Sequence, residues 1–167
     1  MNLTREDLIQ SDATMNQMRN MVYHLQRFMK INGVSETREN LRRMGRNIAR
    51  TYVKYWKPID HINLSNVRDV ISTIYKHILN SSVSIEIDKL NKTITVQDND
   101  CSLCKYHIND IDVAGCEIIA AMTSEIITCI NKEKSSLKLQ PLNILDSRTF
   151  GNKSCIQSFK YEEGGVL

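Results

Sequence analysis

With 167 residues, the chain has the length of one domain that can bury a hydrophobic core without help from disulfides or metals. Hydrophobic residues make up 41% and charged residues 25% of it, as in ordinary globular proteins, and no apolar run is long enough for a membrane-spanning helix. The net charge of +3 and the aromatic content of 6% are too small for a typical nucleic-acid surface, so we expect no nucleic-acid partner.

A stripe of apolar residues predicts the first long helix. Residues 1–12 are expected to form a flexible leader, and from Ala13 the apolar residues recur every three or four positions up to Gly33, which suits the position after a helix end. Such a stripe packs against the protein's own core or against another subunit, and the pattern leaves both open. Its members are Met15, Met18, Val22, Leu25 and Met29, and Met21 and Phe28 widen it.

The second predicted helix begins after Ser35, which suits an N-cap, and ends before Pro58. Gly45 lies in its interior, where glycine costs about 1 kcal/mol relative to alanine, so we expect another element to pack closely against it. One face is basic at four-residue spacing and is either solvated or in contact with an anionic membrane surface or an acidic partner. Its residues are Arg42, Arg46, Arg50 and Lys54.

A third helix, with apolar residues from Leu64 to Ile78, precedes a change of period. Apolar and polar residues alternate over 83–87 and again over 93–97, which predicts a β-hairpin.

The fourth predicted helix covers residues 113–131, is capped by Asp110 or Asp112, and is apolar nearly all round, so it should be the buried central helix. Two more strands, over 137–145 and 155–161, close the domain, which is expected to span residues 13–162 with a tail over 163–167. The predicted fold is α+β in the order ααα-ββ-α-ββ, with a small antiparallel four-stranded sheet covered by helices.

All five cysteines lie in the second half of the chain, and Cys101 and Cys104 form a Cys-x-x-Cys pair. The polar N-terminus has no signal-peptide pattern, so we expect a cytoplasmic protein with reduced thiols. A loop, a helix start and a hairpin could bring Cys101, Cys104, Cys116 and Cys155 together, either to hold a metal or to fill the core. Cys129 belongs to the apolar run of the fourth helix and is expected to pack there.

The signature Leu41-Arg-Arg-Met44-Gly45-Arg-Asn47-Ile48, followed by helix, hairpin, helix and hairpin, resembles the small subunits of the TRAPP vesicle-tethering complex. The resemblance implies a scaffold subunit that pairs with itself or a related subunit through its N-terminal helices. It also implies an assembly that tethers vesicles and activates a small GTPase. Some members of that family carry a lipid-modified cysteine between the second and third helices, a segment that has no cysteine here.

The second half also resembles the 4-vinyl reductase domain, through Asp100-Cys101-x-x-Cys104, Cys116-Glu117 and Gly151-Asn152-x-x-Cys155. In sensor members of that branch, zinc is held by one cysteine at the helix start and by a glutamate and two cysteines in the last hairpin. Cys116 and Cys155 match this set, whereas Ile144 and Ser147 stand at the other two positions. Cys101 and Cys104 could complete a four-thiolate zinc site instead, and His107 could replace one ligand.

No catalytic motif is found, so we predict a non-enzymatic scaffold of the TRAPP small-subunit type. Any contact that it makes with a membrane is expected to be peripheral. The alternative is a sensor of the 4-vinyl reductase type that binds a small apolar molecule near a thiolate zinc site. A third hypothesis, a redox enzyme that uses Cys101 and Cys104, lacks the strand-to-helix context of thioredoxin-like motifs.

Overall fold

The structure, a computed structural model, describes residues 4–132 and 137–164. Within them the chain forms the predicted α+β fold, with four α-helices, four strands and one short 3₁₀ helix. The elements are α1 (Arg5–Ile31), α2 (Thr37–Tyr52), α3 (Val67–Leu79), β1 (Val83–Asp88), β2 (Thr93–Asp98), α4 (Cys116–Ile130), β3 (Leu137–Asp146), the 3₁₀ helix (Arg148–Phe150) and β4 (Cys155–Glu163).

The four strands form one antiparallel sheet in the order β1-β2-β4-β3. A proline within a strand favours an edge or a bulge, and both are present at Pro141: β3 is an edge strand, and its register against β4 shifts between Pro141 and Ile144. Proline has no N–H to donate to a neighbouring strand. It is therefore tolerated at a sheet edge or a bulge, where that donor is not needed. In the other ladder of β4, Asp98 at the end of β2 lies opposite Cys155.

The core lies around α4, which packs between α2 and the sheet. Most of α4 is buried, as its all-round apolar sequence predicted. At the crossing with α2, a methyl group on Gly45 would overlap the carbonyl oxygen of Ile118 and lie 3.0 Å from the amide nitrogen of Met122. The close packing expected at Gly45 is therefore confirmed, and glycine is required because backbone meets backbone.

The helix α1 begins at Arg5, so residues 5–12, expected as part of a leader, form its first turns. Residues 1–3 of that leader and 165–167 of the expected tail lie outside the described residues, and Glu163 of the tail belongs to β4. The helix starts earlier than expected because the apolar stripe marks only the part that packs. Polar residues such as Arg5 and Glu6 are good helix formers in a solvated turn.

The expected caps are corrected at two places. Helix α4 begins only at Cys116, with Gly115 before it, and Asp110 and Asp112 instead form ion pairs with α1: Arg27 lies 2.6 Å from Asp110, and Lys30 lies 2.9 Å from Asp112. Because these pairs join segments that are far apart in the sequence, a rule based on neighbouring residues cannot predict them.

Helix α2 begins at Thr37, with Glu36 rather than Ser35 at the N-cap position, and it ends at Tyr52, well before Pro58. Among the described residues, no helix is both long and apolar enough to cross a membrane.

Candidate functional site

Three segments place four cysteine side chains together beneath α1. Cys101 and Cys104 come from the loop after β2, Cys116 from the first turn of α4, and Cys155 from the first residue of β4. The sulfur atoms of Cys101, Cys104 and Cys155 lie within 4.8 Å of one another. Cys116 lies outside that triplet, is buried at the start of α4, and has its pKa raised by interaction with the other three thiols. All four thiols are buried and free, and we call them the thiol cluster.

Local backbone features hold the two loop cysteines in place. The Cys104 amide donates to the Cys101 carbonyl at 3.1 Å and closes the Cys-x-x-Cys turn. The loop also packs against the start of α4, where a methyl group on Gly115 would lie 3.4 Å from the Cβ of Leu103 and 3.8 Å from the sulfur of Cys104. A small residue before Cys116 therefore keeps the loop and the helix start in contact.

The electrostatics of the cluster favour one negative charge on Cys104. Hydrogen bonds from Cys101, Cys116 and Cys155 hold the pKa of the Cys104 thiol well below its usual range. Hydrogen bonding to Cys104 raises the pKa of Cys101, and hydrogen bonding to Cys101 raises that of Cys116. A second negative charge on the cluster is disfavoured unless a cation is present, because like charges in a buried site repel.

Polar groups surround the cluster, unlike an ordinary apolar core. Cys155 accepts a hydrogen bond from the amide of Arg148 at 3.4 Å, and the buried Ser147 hydroxyl lies 3.7 Å from its sulfur. Asp98, opposite Cys155, accepts bonds from the Ser81 hydroxyl at 2.5 Å and the Asp100 amide at 3.0 Å through one oxygen. Its other oxygen has no protein partner in the described part of the chain, and burial raises the pKa of this carboxyl.

The other candidate ligands do not join the thiols. His107 is exposed and stands against the Gly151 turn, where its Nδ1 would lie 3.4 Å from a methyl group on that glycine. Ile144 is a half-buried residue of β3. Cys129, expected to pack in the core, is only half-buried near Glu125 on α4. The thiolates of the cluster are therefore the groups that could hold a soft metal such as zinc.

The predicted interface stripe on α1 divides into two faces. Val22 and Met29 are buried in the protein's own core, and Met15 and Leu25 are half-buried. Exposed apolar side chains form a separate outer stripe, with exposed fractions of 42% at Met18, 61% at Met21 and 63% at Phe28. The sequence analysis noted Met21 and Phe28 only as widening the stripe. Met21 follows Met18 by three residues and Phe28 follows Met21 by seven, and this spacing was the signal that the three share a face.

Three of the four residues of the predicted basic face form ion pairs within the protein. Arg42 pairs with the buried Glu117 at 2.7 Å, and Arg50 pairs with Glu125 at 2.7 Å, both on α4. Arg46 pairs with Glu39 of its own helix. Lys54 is exposed and lies just after the end of α2. The sequence analysis named Glu117 only as part of a motif and did not predict that this buried carboxylate pairs with α2, where it also meets Arg38 at 3.1 Å. A charged residue within an apolar helix was the available signal for it.

The sequence matches no protein-family model and no curated protein. Among solved structures, the chain is similar to trafficking protein particle complex subunit 3 from Naegleria fowleri, covalently bound to palmitic acid. The TM-score is 0.60 and the identity 9%, over 90% of this chain and 96% of that one. The phenol-responsive sensory domain of the transcription activator PoxR, with phenol, gives a TM-score of 0.46 and 10% identity, over 85% and 73% of the two chains. The fold of this chain is therefore TRAPP-like.

Proposed function

We propose that the protein is a non-enzymatic scaffold subunit of a cytoplasmic trafficking or tethering assembly, and that it pairs through α1 with a second copy or with a related TRAPP-like subunit. The TRAPP-like fold supports the assignment to subunits of such an assembly. The observation that carries the proposal is the outer stripe of α1, Met18, Met21 and Phe28, which is apolar and exposed.

The outer stripe has the properties of an interface. Single exposed apolar residues are common on monomers, but several on one helix face mark a contact surface. Methionine side chains adapt their shape to a partner, which suits pairing with copies or relatives. A stripe on one helix can also meet its own copy across a two-fold axis.

The inner face of α1 supports this role because it fixes the helix to the domain. Val22 packs in the core, Tyr23 donates its hydroxyl to the Leu103 carbonyl, and Arg27 forms a two-contact ion pair with Asp110. A helix held in this way presents its outer stripe in one orientation. Binding then costs less conformational entropy than it would with a mobile helix.

Contact with a small GTPase or an anionic membrane is part of the proposed setting. Arg42 is mostly buried and paired with Glu117, so that contact would have to use other groups. The sensor alternative requires an apolar ligand cavity. A groove of about 540 Å³ beside the α1–α2 connection is lined by Lys30, Arg38 and Asp112, so its lining does not favour an apolar molecule.

The test is the native mass of the protein, read by size-exclusion chromatography with light scattering. We expect a dimer at micromolar concentration, and we expect Met21→Glu with Phe28→Glu to make it a monomer because two charges would be buried in the interface. The matched control is Leu90→Glu, at the β1–β2 turn, where the leucine is 92% exposed. The control should stay dimeric.

If the wild-type chain alone is a monomer, the same double variant is tested for loss of pull-down of a co-expressed TRAPP-like subunit. A monomer that pairs with no such subunit would contradict the proposal. A dimer that survives both charges would also contradict it, because its interface would then lie elsewhere.

A further inference from the structure

We propose that the thiolates of Cys101, Cys104, Cys116 and Cys155 hold one structural zinc ion, and that this ion fixes the loop on which α1 rests. The inference goes beyond the scaffold role, since a monomer could hold the same ion.

The geometry fits the metal. Tetrahedral zinc with Zn–S bonds of about 2.3 Å places its sulfurs about 3.8 Å apart. Three sulfurs of the cluster already lie within 4.8 Å of one another, and the buried Cys116 stands beside them at the start of α4. The thiols are also surrounded by polar groups, namely Ser147, Asp98 and the backbone amide of Arg148, which cysteines that only fill an apolar core do not need.

The ligand set indicates a closed site with a structural role. Four buried protein thiolates leave no coordination position for a substrate, which is the pattern of structural rather than catalytic zinc. Zinc binding releases the four thiol protons to solvent, and its two positive charges offset half of the negative charge of the four thiolates. The hydrogen bond from the Arg148 amide to Cys155 stabilises thiolate charge in the same way that second-shell donors do in metal sites.

The loop between the first two ligands also carries the contacts of α1. Ser102 and Leu103 lie between Cys101 and Cys104, and their carbonyl oxygens accept hydrogen bonds from Arg19, at 3.0 Å, and from the Tyr23 hydroxyl. Because the ion would hold both ends of this four-residue turn, it would fix the acceptors that α1 uses. Loss of the ion should therefore loosen α1 as well as the loop.

A surface groove lies beside the loop that carries two of the four thiols. It has a volume of about 260 Å³, lies between α1, the end of α3 and the loop, and is lined in part by Cys101. The carboxylates of Asp12 and Asp100 line it together with the basic side chains of Arg19 and Lys105, so its charge is balanced.

The first test is the zinc content of the full chain purified under reducing conditions without chelator. We expect stoichiometric zinc, and replacement by Co²⁺ should give thiolate charge-transfer and tetrahedral absorption bands. Cys101→Ser and Cys104→Ser should each reduce zinc retention at least about tenfold. Cys129→Ser, which changes a half-buried thiol outside the cluster, should keep the metal. A folded wild-type protein without zinc affinity would overturn the proposal, as would zinc that the Cys101 and Cys104 variants retain.

The second test uses wild-type protein alone, so that it does not depend on a variant that fails to fold. Amide hydrogen exchange is followed with zinc bound and after chelation in reducing buffer. We expect amides of residues 19–27 to exchange at least about tenfold faster without zinc, because two anchoring hydrogen bonds would be weakened. Unchanged exchange in α1 would overturn the link between the ion and the helix.

Tyr23→Phe separates the two parts of the proposal. It removes the hydroxyl that binds the Leu103 carbonyl while leaving all four thiols in place. We expect it to keep stoichiometric zinc and to speed exchange in α1. Zinc content is read separately from native mass, so failure of this inference and failure of the scaffold proposal are distinguishable.

Discussion

The crossing of α2 and α4 at Gly45 gives the sharpest test of how this fold is packed. A methyl group at this position would overlap the Ile118 carbonyl oxygen and lie 3.0 Å from both the Ile118 carbonyl carbon and the Met122 amide nitrogen. These are backbone atoms of a buried helix, so they cannot move aside as the end of a flexible side chain could. Gly45→Ala must therefore push the two helices apart.

Two effects of opposite sign act in Gly45→Ala. Alanine is favoured over glycine in a helix by about 1 kcal/mol. Overpacking in a closely packed core typically costs about 1–3 kcal/mol, and a backbone overlap lies at or above the upper end. The free energy of unfolding should therefore fall by about 2 kcal/mol. For a domain of this size, that corresponds to a Tm lowered by about 4–8 °C.

The assay is urea unfolding followed by far-UV circular dichroism, with Asn47→Ala as the control at an exposed position of the same helix. Because the control gains helix propensity without a clash, it should be as stable as the wild type or slightly more stable. If Gly45→Ala unfolds at the same urea concentration as the control, the close crossing of α2 and α4 does not exist as described.

Two further substitutions test buried polar contacts. Glu117→Ala should lower the free energy of unfolding by about 3 kcal/mol in urea melts, because it leaves the partly buried Arg42 without its carboxylate. Glu39→Ala, which breaks a more exposed pair, should change it by less than about 1 kcal/mol. Asn131→Ala should cost about 3 kcal/mol, since the side chain of this buried residue bonds the amide and carbonyl of Ile62 and the carbonyl of Leu137. If Asn131→Ala were as stable as the wild type, that result would contradict the hydrogen-bond network of the Asn131 side chain.

The periodicity of the sequence was sufficient for the element order and the fold class, because helices and strands bury apolar residues at different spacings. It also identified α4 as the central helix and Gly45 as a point of close approach. Element boundaries were less accurate. Helix α4 starts at Cys116 rather than at residue 113, because Asp110 and Asp112 bind the basic side chains of α1 instead of capping it.

The sequence by itself determined which residue types were available: five cysteines, an apolar stripe on the first helix and a basic stripe on the second. Only the tertiary structure decided what each does. Val22 faces the core while Met21 faces solvent, and Arg42 and Arg50 meet glutamates that lie 75 residues away along the chain. Helical spacing defines a face but not what lies opposite it. Partners so distant in sequence are set by how the whole chain packs, and the same packing brings the thiols of Cys101, Cys104 and Cys155 together.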